Sequence, residues 1–363
     1  MHRIEIDRSK RLCDEPHLGH NRYHPDIEPI LEVGEGEEVL VETRDCVDGQ
    51  IGANADEQVF AQLEGGAIHP LTGPIYVKDA APGDVLEVEF VDILPADNGF
   101  SAIIPGMGFL RDLMADPFLV HWRMQDGWAT SKQIPGVRIP GAPFMGISAV
   151  APSAQEVVEW TARERKLVDE GEPVMPPDPM GAVPGGSCAA HGLRTIPPRE
   201  NGGNFDVKQL TKGAKLFLPV SVPGALFSTG DGHYAQGDGE VSVTAIEMSA
   251  TVAVRFRVHK ELATRRRLTA PAFSHQSYDP GPSEHFIGAM GYPINAEGNN
   301  ISENVTLAAR NALLNMMTLI QERGFSAQQA YIICSVACDL KISNIVDLPN
   351  VTVSAIVPEA IFG

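Results

Sequence analysis

Residues 230–240 place three acids, an imidazole and a carboxamide among four glycines, between β-branched segments at 216–222 and 241–247. Glycine at this density lets the backbone approach a ligand closely and reach positive φ. A segment needed only to reverse the chain would not also require Asp231, His233, Gln236, Asp238 and Glu240. The flanks predict two strands of one sheet, so the run is expected to be a site-bearing loop on a rigid base.

The rest of the chain predicts an α+β, β-rich fold. Short strands separated by acidic or glycine turns are expected at 38–43, 75–77 and 85–93, the last following the Pro82-Gly83 turn. Residues 96–150 carry many Gly and Pro with weak periodicity, as loops that line or cover something would. A helix is expected from Ser153 to Asp169, with Ser153 and Glu156 forming a capping box. Residues 171–204 are broken by Pro173, Pro176, Pro177, Pro179, Pro184, Pro197 and Pro198, which predicts an irregular excursion serving as a linker, a lid or an oligomer contact. Further on, Val305, Ala308, Ala312, Leu313, Met316 and Ile320 follow a helical period behind a Ser302 cap, with Gly324 at its end. Ser326 with Gln329 opens a second helix, and strands follow at 341–346 and 351–357. The resulting division is a β-sandwich or jelly-roll-like amino-terminal domain (1–150), an irregular connection (151–204), and an α/β domain of helices on a mixed sheet that carries the site (205–363).

The formal charge of −19 excludes a nucleic-acid partner, because phosphate binding needs a basic patch and Arg265-Arg266-Arg267 is the single basic cluster. No apolar stretch approaches ~20 residues and no signal-peptide pattern opens the chain, so the protein is expected in the cytoplasm without a membrane partner. Five scattered cysteines suit reduced thiols there, and Cys334 with Cys338 read as buried small residues, since no second pair completes a zinc site.

Asp231 and His233, two apart on an extended backbone, can offer a carboxylate and an imidazole to one divalent ion. Candidates to complete the set are Glu247, His20, His24, Asp45 and His69. Carboxylates and imidazoles without a thiolate pair suit zinc, acting as Lewis acid and activator of water, which points to hydrolysis. The alternative is a nucleophile, Ser228 or Cys46, although neither lies in a Gly-x-Ser-x-Gly motif. Gly230 to Gly239 lacks the Gly-Lys-Ser/Thr of a phosphate loop, and its acids would repel phosphate.

Several ordered blocks carry a resemblance: His20-Asn21-Arg22-Tyr23-His24-Pro25-Asp26, Glu42-Thr43-Arg44-Asp45 with Asp48-Gly49-Gln50, His69-Pro70-Leu71-Thr72-Gly73-Pro74, Pro82-Gly83-Asp84, residues 197–206, the 230–240 run, Ile246-Glu247, and the C-terminal run 339–350. In these blocks the chain resembles the acetamidase/formamidase family of amidohydrolases. The resemblance implies hydrolysis of a short amide (formamide, acetamide or similar) to carboxylate and ammonia, and a homo-oligomer. It leaves open a larger or cyclic amide such as a lactam, as well as a metal-binding relative without turnover. Tyr23 stands where the formamidase branch often has Trp. Taken with the residue chemistry, the resemblance implies one or two ions held by Asp45, His69, Asp231, His233 and Glu247, with Glu240 as proton shuttle. Gln236 and Asn204, with His24, would position the amide.

Overall fold

The computed structural model describes residues 1–172, 174–175, 178–276, 285–345 and 349–363. Pro173, Pro176 and Pro177 of the connection and Val346, Asp347 and Leu348 of the C-terminal block lie outside these. The architecture is β-rich α+β, with two large sheets stacked about one apolar core and a smaller sheet backed by helices.

The first large sheet has six strands, in the order His2–Ile4, Glu38–Thr43, Ala250–His259, Val85–Pro95, Lys215–Pro219, Ala272–Ser274. Glu38–Thr43 shows strict alternation, with Val39, Val41 and Thr43 buried and Glu38, Leu40 and Glu42 less so, as a strand covered on one face requires. The second sheet is built around Leu71–Val77, Asn98–Ile103, Phe118–Gln125, Phe144–Ala149, Gly202–Asn204 and Phe227–His233. Every residue of Phe144–Ala149 and of Phe227–His233 is buried, so these strands lie at the centre of the molecule.

The expected capping boxes form. Ser153 opens Ala154–Asp169 and Ser326 opens Ala327–Ala337, each with its reciprocal bond to Glu156 or Gln329. Helix Val305–Gln321 starts later than Ser302 predicts, because the Asn304 side chain accepts from Leu307 N, and Asn is an equally good cap two residues nearer the apolar face. Met316 and Met317 fill the core, and Cys334 and Cys338 are buried free thiols. These two helices pack with a three-stranded sheet of Phe286–Gly291, Thr352–Pro358 and Asp339–Asn344.

The excursion before the site is anchored by the His20–Asp26 block. Asn21 exchanges bonds with Val183 and donates to Gly181 O, while Arg22 donates to Asp178 O at 2.7 Å and Met180 O at 3.2 Å. Arg199, buried against Glu164 at 2.6 and 2.9 Å, ties the end of the excursion to Ala154–Asp169.

Two expectations for the site's setting are corrected. Residues 96–150 are not mainly loops: they form strands Asn98–Ile103, Phe118–Gln125, Trp128–Thr130, Arg138–Pro140 and Phe144–Ala149, whose Gly and Pro fall largely in the turns between them. The first half of the 230–240 run is not loop but the end of strand Phe227–His233, and 241–246 is not a strand. The reason is docking: Ser242 N donates to Ser335 Oγ at 3.0 Å, Ser335 Oγ to Thr244 O at 2.6 Å, Gly237 N to Ser335 O at 2.9 Å, and Tyr331 Oη to Val241 O. Backbone groups satisfied by helix Ala327–Ala337 have no need of a ladder.

Candidate active site

The centre of the site is created by a change of neighbour along a single strand. Phe227–His233 pairs with Leu71–Val77 up to Gly230↔Leu71, and from Gly232↔Met248 onward it pairs with Glu247–Met248 instead. Asp231 stands at the junction with φ +59°, a left-handed conformation that non-glycine residues seldom hold outside functional positions. His233, two residues on, is directly opposite Glu247 in antiparallel register, so the two side chains share a face. His69 enters from the segment just ahead of Leu71–Val77.

On the other edge, Gly146 stands between the pairs Met145↔Gly232 and Ile147↔Gly230, opposite Asp231. Glycine is required there: a Cβ would lie 2.5 Å from Asp206 Oδ1, 2.7 Å from Asp231 Oδ2 and 2.8 Å from His233 Cε1. The Phe144 ring meets the His233 imidazole edge-on at 5.0 Å and fixes its plane.

His233 Nε2 lies 3.3 Å from Asp231 Oδ1 and 3.1 Å from Glu247 Oε2. None of these three atoms makes a hydrogen bond, and neither do the His69 and His233 Nδ1 atoms. Asp231, His233 and Glu247 are 3%, 1% and 2% exposed. Their ligand atoms fall within 4.8 Å of one another, as do those of Asp206, His233 and Glu240. Buried polar atoms are normally paired, at a cost of about 1–3 kcal/mol each if they are not, so a convergent set without hydrogen bonds is one that could hold a ligand.

Electrostatics say what kind of partner. Burial opposes charge on His233, yet Glu247 and Asp231 raise its pKa well above the ordinary value. Burial pushes Asp206 up to about 8 and Glu240 well above its usual range, and nearby carboxylates add to both. Glu247 is raised for the same reason, whereas His233 and His69 lower Asp231 against its burial. Carboxylates outnumber imidazoles in this space, and a cation relieves that imbalance.

Other expected residues fall in different places. Asp45 borders the cluster, and its Oδ1 accepts from Val47 N and Gly49 N at 3.0 Å each, so that oxygen shapes the 45–49 turn. Among the described residues no three-ligand set contains Asp45; its neighbour Cys46 joins His69 and Asp231 instead. Gln236 is buried with Nε2 donating to Asp206 O at 2.9 Å, which leaves Oε1 unpartnered, as is Asn204 Oδ1. Gln236 therefore offers a free acceptor oxygen, as positioning an amide requires. Glu240 is half-buried at the edge of a 370 Å³ pocket also lined by Phe109, Val243 and Thr306. His24 bonds within its own turn, its Nδ1 accepting from Asp26 N at 3.2 Å, and it is not brought to the cluster.

His20 Nε2 meets Ser228 Oγ at 2.7 Å, but its Nδ1 has no partner and burial lowers its pKa to about 4. A serine nucleophile would need a third group behind that imidazole, and none is bonded to it. Three residues escaped the sequence reading: Asp206, Gly146, and Tyr23 as a buried, unpartnered hydroxyl. Asp206 at +46° is one of few non-glycine positive-φ residues near the 197–206 block, and nothing in the linear sequence signals that.

Comparison with known proteins agrees with this geometry. The model of the Acetamidase/Formamidase family matches residues 5–363. An acetamidase of Mycolicibacterium smegmatis is 36% identical over 91% of this chain and 88% of its own. A formamidase of Methylophilus methylotrophus is 33% identical over 99% and 93%. Among solved structures, a gamma lactamase from Delftia acidovorans superimposes with a TM-score of 0.95 at 31% identity, covering 100% of this chain and 93% of that one. The chain therefore belongs to the acetamidase/formamidase family.

Proposed function

We propose that this amidohydrolase cleaves a short-chain linear amide to carboxylate and ammonia using metal-activated water. The observation that carries the reading is the mutually close set of buried ligand atoms without hydrogen bonds on Asp231, His233 and Glu247, with His69 close to Asp231. Two imidazoles among carboxylates fit zinc or a similar divalent ion. Such an ion, held by Asp231, His233 and Glu247 with His69 beside them, would bring bound water toward a pKa of about 7 and polarise a carbonyl.

The chain's own groups supply the rest. Glu240 reaches both the buried cluster and the 370 Å³ pocket, and burial with Asp206 nearby raises its affinity for a proton, so the carboxylate is a stronger base than usual. It is placed to take a proton from water and return it to the nitrogen, which leaves as an amine only when protonated. Asp206, close to Glu240 and 3.9 Å from His233 Nδ1 without a hydrogen bond to it, adds a further carboxylate beside the shuttle. Gln236 Oε1 and Asn204 Oδ1 would accept from the N–H groups of the substrate, selecting an amide over an ester. The Tyr23 hydroxyl is a candidate donor to the developing oxyanion, an effect worth about 3 kcal/mol.

Among the described residues no helix is long and apolar enough to cross a membrane. Five free cysteines suit the reducing cytoplasm, and Phe286 and Met290, about 60% exposed on one strand, suit a homo-oligomer. Likeness to a gamma lactamase favours a cyclic amide as the second reading.

Ammonia release from formamide, acetamide, propionamide and a γ-lactam, measured with metal content before and after chelation, tests the function. Release from the short linear amides that disappears with the metal is expected. Release that survives complete metal removal would move the reaction to a nucleophile, and turnover of the lactam alone would establish the second reading.

A further inference from the structure

Asp45, a ligand implied by the family resemblance, is followed in the chain by Cys46. Asp45 spends its Oδ1 on the backbone of its own turn. That turn delivers the next side chain, Cys46, to the site: its Sγ, a His69 ring nitrogen and an Asp231 carboxylate oxygen all lie within 4.8 Å of one another. Cys46 is 6% exposed and Asp231 3% exposed. His69 Nδ1 and Asp231 Oδ1 are both buried without a hydrogen-bond partner, which is the second sign, besides proximity, that something is to be bound between them.

Cys46 also belongs to an apolar cluster with Val47, Ile51, Phe100 and Leu119. A thiol serving only to pack that cluster needs no imidazole and carboxylate at its other side. The neighbouring residues instead hold the thiol rigidly: Gly49 N and Val47 N fix the turn around Asp45, and Asp48 accepts from Leu12 N at 2.8 Å, buried at 2% exposure.

We propose that Cys46 supplies a thiolate ligand, together with His69 and Asp231, to a zinc ion in this site. The inference rests on the metal-dependent reading above and sharpens it, since a sulfur ligand selects zinc over magnesium, calcium or manganese. Asp231 is common to this set and to the Asp231–His233–Glu247 set, so it joins the two. On binding, the thiol proton is released to solvent and the sulfur–metal bond takes its place.

The test uses the full chain stripped of metal and reloaded separately with zinc and with cobalt(II), as wild type, Cys46→Ser and Cys13→Ser. Cobalt in the wild type and in Cys13→Ser is expected to give the intense near-ultraviolet absorption of a thiolate–cobalt bond, and Cys46→Ser to lose it. Zinc affinity of Cys46→Ser should weaken by at least about tenfold. X-ray absorption at the zinc edge of the wild type should show a sulfur at about 2.3 Å, a measurement that stands even if the variant fails to fold. Bound metal with no sulfur neighbour and unchanged zinc affinity in Cys46→Ser would overturn the thiolate alone. No binding of either metal to the wild type would overturn the metal-dependent function as well.

Discussion

The two large sheets each bury acids, and they treat them oppositely. At the six-stranded sheet Asp84, just ahead of strand Val85–Pro95, is 2% exposed and Glu87, within it, 6%. Asp84 accepts from Lys260 Nζ, Glu261 N and Ala81 N at 2.6, 2.7 and 2.9 Å, and Glu87 meets Lys215 Nζ and His259 Nε2 at 2.6 Å each. In the other sheet Asp231 and Glu247 are just as buried, yet each keeps an oxygen that makes no hydrogen bond and faces only the shared His233 imidazole, at 3.3 and 3.1 Å. The difference teaches that burial alone does not mark a site: a paired buried carboxylate stabilises the fold, whereas an unpaired one beside others of its kind is held ready for a ligand.

Substitutions separate the two kinds of acid. The largest effect is expected from His233→Ala or Asp231→Asn, which should lose bound metal and ammonia release together, down to background, while the fold survives by circular dichroism. Glu240→Gln should keep its metal and lose kcat by about 10²–10⁴-fold; full activity would remove Glu240 from proton transfer. Gly146→Ala, forcing a Cβ against Asp206, Asp231 and His233, should cut kcat/KM by about 10²-fold through misplacement, with about 1–3 kcal/mol lost in denaturant melts. Smallest in catalysis, and confined to stability, is Asp84→Asn. It should cost about 1–3 kcal/mol of unfolding free energy and leave kcat/KM per folded molecule unchanged, and a loss of turnover there would blur the contrast between the sheets.

Local signals were legible where local physics decides. Alternation predicted Glu38–Thr43 and the strand from Val85, and the Ser153 and Ser326 capping boxes predicted two helix starts. The pairing of Asp231 with His233 followed from their spacing alone. Illegible were the features set by long-range pairing. Residues 241–246 look like a strand but dock on a helix about 90 residues later. Asp206 enters the cluster only because Gly202–Asn204 pairs with Phe144–Ala149. Whether Asp45 or Cys46 faces the site depends on the turn conformation at 45–49, which composition does not reveal.

The most direct measurement is an anomalous-scattering map at the zinc edge, collected from crystals of active protein. A single strong peak, or a pair, at about 2.0–2.2 Å from the side-chain atoms of Asp231, His233 and Glu247 is the expected result. Active crystals with no anomalous peak among those residues would contradict it, and their unpaired atoms would then need another explanation.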